Sequence, residues 1–174
     1  AAVHAGTPSV AHADSLGRSF LTVAHNRFVR SGVTVDEKYA TRVVFDIEGS
    51  PRELIDAVDR VVMRYDYDVT RTRVHQASME AGQRWTLHDI TGSPIFMWDS
   101  RGHLFRTVYD DLHRPADAYV TDGTGAEILV SHTDYGESEP NPEERNLRGK
   151  VVALSDQTGV TRSDGHDFKG NLLR

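Results

Sequence analysis

The chain of 174 residues contains no cysteine, so disulfide bridges and thiolate metal sites are excluded. It has no apolar run of about 18 residues, the length that a membrane-spanning helix needs. Its net charge is −6, and its Lys and Arg residues are scattered, which argues against a nucleic-acid partner. Three catalytic signatures are also missing, namely Gly-x-Ser-x-Gly, His-Glu-x-x-His and the phosphate-binding loop. With 38% apolar and 26% charged residues, the composition is that of an ordinary globular protein.

What the sequence does contain is a repeated group of the form Asp-x-x-Gly. Between Trp85 and Asp122 such groups begin at Asp89 and Asp99, and a similar group with His113 in place of Gly begins at Asp110. The runs between them are rich in aromatic and branched residues, which is typical of strands. Asp opens a tight turn by accepting a hydrogen bond from the backbone two residues on, and Gly tolerates the positive φ that closes it. Each unit therefore predicts one turn and one strand.

The same interval of ten to twelve residues can be followed along most of the chain. Two groups, at Asp68 and Ser78, are degenerate. The turn residues that the phase predicts are Asp14, Gly17, Asp46, Gly49, Asp89, Gly92, Asp99, Gly102, Asp110, Asp122, Gly125, Asp156, Gly159, Asp167 and Gly170.

Residues 50–62 carry two conflicting signals. Ser50 to Glu53 have the form of a helix capping box with Pro51 at the first helical position, and apolar residues follow at helical spacing. The phase of the repeat instead places a turn at Asp56 to Asp59, followed by a two-faced strand from Val61. We favour turn and strand, because periodic context outweighs a short capping signal. A helix remains the alternative.

These patterns divide the chain into four segments. Residues 1–13 are an extended lead-in, and residues 14–134 form the repeat sheet. Residues 135–146 are an acidic, Pro-containing insertion, in which Asn141 and Pro142 predict one short helical turn near 141–146. The repeats resume over residues 147–174 and stop where the phase predicts a new strand. We therefore expect a segment of a longer protein, without a visible signal peptide.

The phased series resembles the Rhs/YD-repeat family, which includes teneurins, polymorphic toxins and the B and C components of insecticidal toxin complexes. The likeness is greatest to the toxin-complex and Rhs-toxin branch. It covers nearly the whole chain from Asp14 onward. The residues that carry it are 13–18 with 22–27, Val61 to Asp68, Trp98 to Gly102 with Tyr109-Asp110, Asn146 to Gly149, and Asp167 to Leu173.

The resemblance implies an all-β fold of antiparallel β-hairpin repeats in a curved or spiralling sheet that forms part of a shell wall. It implies a secreted or cell-surface protein without catalytic activity, whose shell encloses a toxic polypeptide. The partners would be the remainder of the parent chain and that enclosed toxin. The family's Asp-rich self-cleavage motif is absent, and this segment is too short to close a cavity alone. Strands joined by tight turns bury their faces only against neighbours, which suits a wall.

Other candidate sites are weaker. The histidines lack metal-ligand spacing, and His88 and His166 fill a slot before Asp that Tyr or Trp fills elsewhere, so we expect no metal and no cofactor. The adjacent carboxylates Glu143 and Glu144 would be solvated charge in an exposed loop. Trp98 and Tyr109 are candidates for an aromatic platform that binds carbohydrate or a cell surface. Their alternating placement is more simply explained by packing between neighbouring strands.

Overall fold

The computed structural model describes residues 5–173, and this part of the chain is built from strands. The strands are β1 Ser9–Ala13, β2 Ser19–Arg30, β3 Val33–Phe45, β4 Pro51–Ile55, β5 Val61–Tyr67, β6 Arg73–Ser78, β7 Gly82–His88, β8 Pro94–Asp99, β9 His103–Tyr109, β10 Pro115–Asp122, β11 Ile128–Tyr135, β12 Val151–Asp156, β13 Gly159–Arg162, β14 Gly165–His166 and β15 Leu172–Leu173.

The sheet follows the chain without crossovers. Strands β1 to β13 form one sheet in which the spatial order is the sequence order, and β14 pairs with β15 in a second, two-stranded sheet. The strand pairs whose register the structure gives are antiparallel, as expected when tight turns join consecutive strands. The prediction of an all-β fold made of antiparallel hairpins is therefore confirmed.

The chain divides into two compact units, residues 1–85 and 86–174. The first contains the longest hairpin, in which β2 and β3 pair from Leu21 and Arg42 to Arg30 and Val33. A two-residue turn joins them, and both of its residues, Ser31 and Gly32, have positive φ (52° and 80°). Such turns match the right-handed twist of the strands they connect. The strand beginning at Ser19 is therefore longer than the repeat phase predicts.

Residues 50–62 also lie in the first unit, and they form no helix. Pro51–Ile55 is strand β4, the backbone turns between Asp56 and Asp59, and Val61–Tyr67 is strand β5. The capping-box signal is overridden because Glu53 pairs with Arg64 and Leu54 with Met63 across the hairpin. Turn and strand is thus the correct interpretation, and the helical alternative was wrong.

The second unit contains the insertion between β11 and β12. Its 3-10 turn spans Gly136–Ser138, whereas residues 142–146 form a series of hydrogen-bonded turns. In the predicted segment 141–146, the Arg145 N–H donates to the Asn141 carbonyl (3.3 Å) and the Asn146 N–H to the Glu143 carbonyl (3.1 Å), which makes one turn there in addition to the 3-10 turn. In this segment Leu147 is fully buried (0% exposed), and Val152 and Ala153 of β12 are buried as well. Gly136 packs directly on Leu147, which leaves no room for a side chain.

Apart from these three residues, the apolar side chains within residues 5–173 keep some exposure to solvent. Among residues 5–173 the buried apolar side chains are Leu147, Val152 and Ala153, and most strand residues are half-buried. Stability must then accumulate between neighbouring strands and turns instead of in a central core. The same residues include no helix with the length and hydrophobicity to cross a bilayer.

Candidate functional site

The turns share one hydrogen-bond pattern. At Asp89 the backbone N–H groups of Thr91 and Ser93 donate to carboxylate Oδ1 (2.8 and 3.0 Å), and Gly92 N–H donates to the Asp89 carbonyl (3.1 Å). The Asp89 N–H in turn donates to the Ser93 carbonyl at 2.9 Å. One carboxylate thus organises the whole turn. The same bonds to Oδ1 from residues two and four positions on occur at Asp14, Asp46, Asp56, Asp68, Asp99, Asp110 and Asp167.

The fourth position of these turns has a left-handed backbone. Gly102, for example, has φ of 93°, a value that glycine adopts without the steric cost of a Cβ. Three turns place other residues there, namely Asp59, Arg71 and His113, with φ of 61° to 66°. The predicted turn glycines with positive φ are Gly17, Gly49, Gly92, Gly102, Gly159 and Gly170.

Two of the predicted aspartate turns differ from this pattern. At Asp122 the N–H of Gly125 donates to the Asp122 carbonyl (2.9 Å), but the left-handed residue is Gly123, with φ of 55°. At Asp156 the strand pairing continues to Gly159, so the turn is one residue tighter. Its carboxylate accepts hydrogen bonds from the N–H groups of Thr158 and Gly159.

In several turns, an arginine directly after the turn forms a further bond to the turn aspartate. Nε of Arg18, Arg60 and Arg114 donates to Oδ2 of the aspartate four residues earlier, at 2.7 to 2.8 Å. Two of these guanidinium groups also lie over an aromatic ring, Arg18 over Phe45 at 5.0 Å and Arg114 over Tyr135 at 3.8 Å. The repeated Asp-x-x-x-Arg spacing is visible in the sequence, although the predicted turns rested on aspartate and glycine alone.

Neighbouring turns on the same edge of the sheet contact one another. In the second unit, Nε2 of His113 lies 2.9 Å from the Asp89 carboxylate and 2.7 Å from the Thr91 hydroxyl, which joins the β9–β10 turn to the β7–β8 turn. The His113 ring stacks on Tyr109 (4.8 Å between centroids), and the Tyr109 hydroxyl donates to the Pro94 carbonyl at 2.9 Å. In the first unit, Glu48 and Arg71 lie 3.5 Å apart and link their turns similarly.

Arg114 extends this line of contacts to the insertion. Its guanidinium binds Asp110 in its own turn (2.7 Å) and Glu137 of the insertion (2.7 Å), while the Tyr135 hydroxyl donates to the Pro115 carbonyl at 2.9 Å. The Arg114 guanidinium and the Gly149 N–H lower the pKa of Glu137 from its ordinary value to about 2. These bonded turns, from Asp89 to Glu137, are called the turn edge below.

Hydrogen bonds to several of the turn carboxylates lower their pKa values. The backbone N–H of Arg114, and then its guanidinium, hold the pKa of Asp110 below its ordinary value. At Asp89 the main causes of a lowered pKa are the hydrogen bond from the Thr91 hydroxyl and those from backbone N–H groups. A carboxylate held this way is a turn cap instead of a proton-transfer group. Within residues 5–173 no cluster of three His, Asp or Glu side chains is arranged to hold a metal ion.

Trp98 and Tyr109 do not form one surface. Trp98 pairs with Leu104 of β9, and paired residues of antiparallel strands point to the same face. Tyr109 lies five residues beyond Leu104 on the same strand, so strand alternation puts its side chain on the opposite face. Its ring is also occupied by His113 and its hydroxyl by Pro94. The geometry therefore gives no combined aromatic platform.

Sequence reasoning missed the cross-strand histidine–aspartate pairs. His75 Nδ1 lies 2.7 Å from Asp66 in the first unit, and Arg52 also binds Asp66 at 2.7 Å. In the second unit, His132 lies between Asp117 (2.6 Å) and Asp134 (3.0 Å), and these hydrogen bonds raise its pKa. The pairs His75–Asp66 and His132–Asp117 join residues on neighbouring strands whose register the sequence did not define.

The sequence matches no family model and no curated protein. Solved structures do match. The crystal structure of TcdB2-TccC3 aligns with 98% of this chain at a TM-score of 0.82 and 20% identity. The structure of a Photorhabdus luminescens Tc holotoxin pore aligns with 98% at 0.80 and 20% identity. The TcdB2-TccC3-Cdc42 crystal structure aligns with 96% at 0.80 and 21% identity. The chain spans 8% to 9% of the chains it matches, so it has the fold of a small part of each.

Proposed function

We propose that the chain is a non-catalytic structural segment of an Rhs/YD-repeat toxin of the toxin-complex type. In this proposal it contributes turn-and-strand units to a hollow β-shell that encloses a toxic polypeptide. Its partners are then the rest of its parent polypeptide and the enclosed toxin, and the parent is secreted or lies at the cell surface. The fold shared with the TcdB2-TccC3 structures supports this proposal.

The observation that carries the proposal is the bonding between turns. A wall one sheet thick has no core to hold it, and an open sheet has only strand pairs and side-chain rows to resist bending. The turn edge adds ion pairs and hydroxyl bonds between segments that are about 15 to 24 residues apart in the sequence. Such bonds stiffen the edge of the sheet at which the turns lie, where the ends of the strands would otherwise separate.

The carboxylates fit a structural function better than a catalytic one. Those of the turns are taken up by N–H donors, and Glu137 is held charged by Arg114 and Gly149. Glu143, one of the adjacent carboxylates Glu143 and Glu144, pairs with Arg148 at the surface. A general acid would need a carboxyl kept neutral by burial, and this loop offers a charge partner instead.

Protease protection of the full-length parent tests the proposal. We expect the enclosed polypeptide to resist a broad-specificity protease as long as the shell is intact, and to be degraded once denaturant opens it. A variant tests the wall itself. Gly136→Ala places a Cβ within 2.6 Å of the Leu147 Cβ, and this clash should open the wall locally. Degradation of the enclosed polypeptide at the same rate before and after denaturation would contradict the proposal.

A further inference from the structure

Five of the aspartate turns carry a large apolar side chain at the tip of the turn. In the first unit these side chains are Leu16, Ile47 and Val69, which are 75%, 100% and 99% exposed. In the second unit they are Ile90, which is fully exposed, and Leu112, which is 65% exposed. Each lies one or two positions after the aspartate that opens its turn, and we call these five side chains the tip residues.

The turns themselves give no reason for apolar tips. Central turn positions favour Gly, Pro, Asn, Asp and Ser, whose backbone preferences or side-chain hydrogen bonds suit the bend. Ile and Val are stiff, β-branched residues that favour strands, and at exposures near 100% Ile47 and Val69 gain no packing inside their own turns. An apolar residue exposed singly needs no explanation, but a position that recurs from turn to turn does.

The tip residues of each unit lie on one edge of its strands. Consecutive strands are neighbours and pair antiparallel, so alternate turns fall on the same edge. In the first unit the turns after β1, β3 and β5 therefore share an edge, and they carry Leu16, Ile47 and Val69. In the second unit the turns after β7 and β9 belong to the turn edge, and they carry Ile90 and Leu112.

The opposite edges are less uniform. In the first unit the turns after β4 and β6 carry the exposed Val58 and Met79, so apolar residues occur there too. In the second unit the turns after β8 and β12 carry polar residues, among them Arg101 and Gln157. Among the described turns between strands β1 and β13, it is those after β1, β3, β5, β7 and β9 that keep an apolar tip in both units.

Contacts between turns hold the tip residues of each unit in a row. In the first unit a Cβ placed on Gly49 would lie 2.5 Å from Nη1 of Arg18, so the Asp14 turn lies against the Asp46 turn. Glu48 and Arg71 then join the Asp46 turn to the Asp68 turn. In the second unit His113 joins the two turns that carry Ile90 and Leu112. Turns that share an edge are two strands apart, which spaces the tip residues about 9.5 Å from one another.

The charged groups beside the tip residues already have partners. Asp14 and Asp110 each bind the arginine four residues on, and Arg114 also binds Glu137. A surface that covers the tips leaves these pairs intact, so it avoids the penalty of burying an unpaired charge. What this edge offers to a partner is therefore apolar contact, which requires no particular direction of bonding.

Building on the proposed function, we propose that the tip residues dock against the edge of another run of the same repeats, located elsewhere in the parent polypeptide. The spacing of the tips decides this choice of partner. Another run has its turns at the same interval of two strand spacings, so its turns can lie between successive tip residues along the edge. A lipid surface has no such period. The edge is then a seam at which two runs of the wall meet.

Photo-crosslinking in the full-length parent identifies what the tip residues touch. Ile47→benzoylphenylalanine and Ile90→benzoylphenylalanine are introduced separately, and a mixture of isotopically light and heavy parent distinguishes crosslinks within one chain from those between copies. We expect both positions to crosslink within one chain to turn residues of a repeat outside residues 1–174. Thr41→benzoylphenylalanine is the control, because Thr41 pairs with Thr22 in the middle of its strand, roughly 16 Å from the turn, and should not reach those turn residues.

Several results would overturn the inference. Crosslinks to lipid, to the enclosed polypeptide, to a second copy of the parent or to a domain without repeats would each show a different occupant, and the absence of crosslinks from both tip positions would show none. Protease protection of the enclosed polypeptide in the same variants reports on the shell separately. Protection without the expected crosslinks overturns the seam alone, whereas loss of protection in the unmodified parent contradicts the proposed function.

A smaller probe checks that the crosslinker itself has not disturbed the edge. Ile47→Cys is introduced into the parent, and its reaction with a maleimide is followed by peptide mass spectrometry of the peptide that contains position 47. We expect labelling at least about tenfold slower in the native protein than in denaturant, because the tip is covered at the seam. Equal rates in the two states would overturn the inference, since they would mean that the tip stays open to water in the assembled parent.

Discussion

Gly102 offers the sharpest test of the turn geometry, because the loss of stability on replacing it can be separated from any steric clash. Its φ is 93°, beyond the left-handed range that L-residues visit most easily, near +57°. A Cβ built there meets only the Gly123 Cα, at 4.0 Å, which is an ordinary contact. Any loss of stability on substitution must therefore come from the backbone conformation.

The magnitude follows from two opposing effects. A non-Gly residue in a sparsely populated region costs about 1–3 kcal/mol, while replacing Gly by Ala restricts the unfolded chain and returns about 0.4–1 kcal/mol. We expect Gly102→Ala to lose about 1–2 kcal/mol, which corresponds to roughly 2–8 °C in Tm for a chain of this size. Gly102→Asn should lose less, since Asn tolerates positive φ, and Gly102→Val should lose more because its Cβ is branched.

Urea denaturation followed by the fluorescence of Trp85 and Trp98 measures this series. Ser100→Ala, at a turn position without positive φ, is the control for a change in the same loop. Asp59→Gly is the converse control, because Asp59 already occupies the equivalent position with φ of 61°. The reasoning fails if Gly102→Val is as stable as Ser100→Ala, or if Asn and Val are tolerated equally at position 102.

Three further predictions concern the insertion and the ion pairs. Gly136→Ala should lower the free energy of unfolding by about 1–3 kcal/mol, because its Cβ overpacks against Leu147. Gly165→Ala, whose Cβ would lie 3.5 Å from the Arg145 carbonyl oxygen, should be nearly neutral. Equal urea midpoints for the two variants would contradict this. Glu137→Gln should destabilise the protein at pH 7, and the difference from wild type should shrink as pH falls from 4.5 to about 2, because the folded-state pKa of Glu137 is depressed to about 2. A difference that stays constant over this pH range would contradict the pairing with Arg114. His132→Gln should destabilise more at pH 6 than at pH 9, because the raised pKa of His132 gives stability that is lost as pH rises through it; a constant difference in thermal midpoint would count against the pairing with Asp117 and Asp134.

The fold could be predicted because the decisive signals are local and repeat. The sequence run 93–98 corresponds to strand Pro94–Asp99, and the run 103–109 to strand His103–Tyr109. Each is bounded by an Asp whose side chain closes its own turn, so the boundaries need no distant contacts. Residues 50–62 follow the same rule, since the phase of the neighbouring turns correctly predicted a turn and a strand there in spite of the capping signal.

The details that could not be predicted depend on register or on contacts between units of the repeat. The bond from His113 to Asp89 and the pair of Arg114 with Glu137 join residues more than 20 positions apart, and no local pattern specifies them. The opposite faces of Trp98 and Tyr109 follow only from the pairing of β8 with β9. The Ser31-Gly32 hairpin was missed although its turn residues are visible, because it falls outside the repeat phase.

Cryo-electron microscopy of the full-length parent tests the central claim most directly, because it shows whether successive turn-and-strand units wall off space. The account predicts a hollow particle in which this segment forms part of a wall one sheet thick, with density for another polypeptide inside. A solid globule, or a sheet left open as a rod with nothing enclosed, would contradict it.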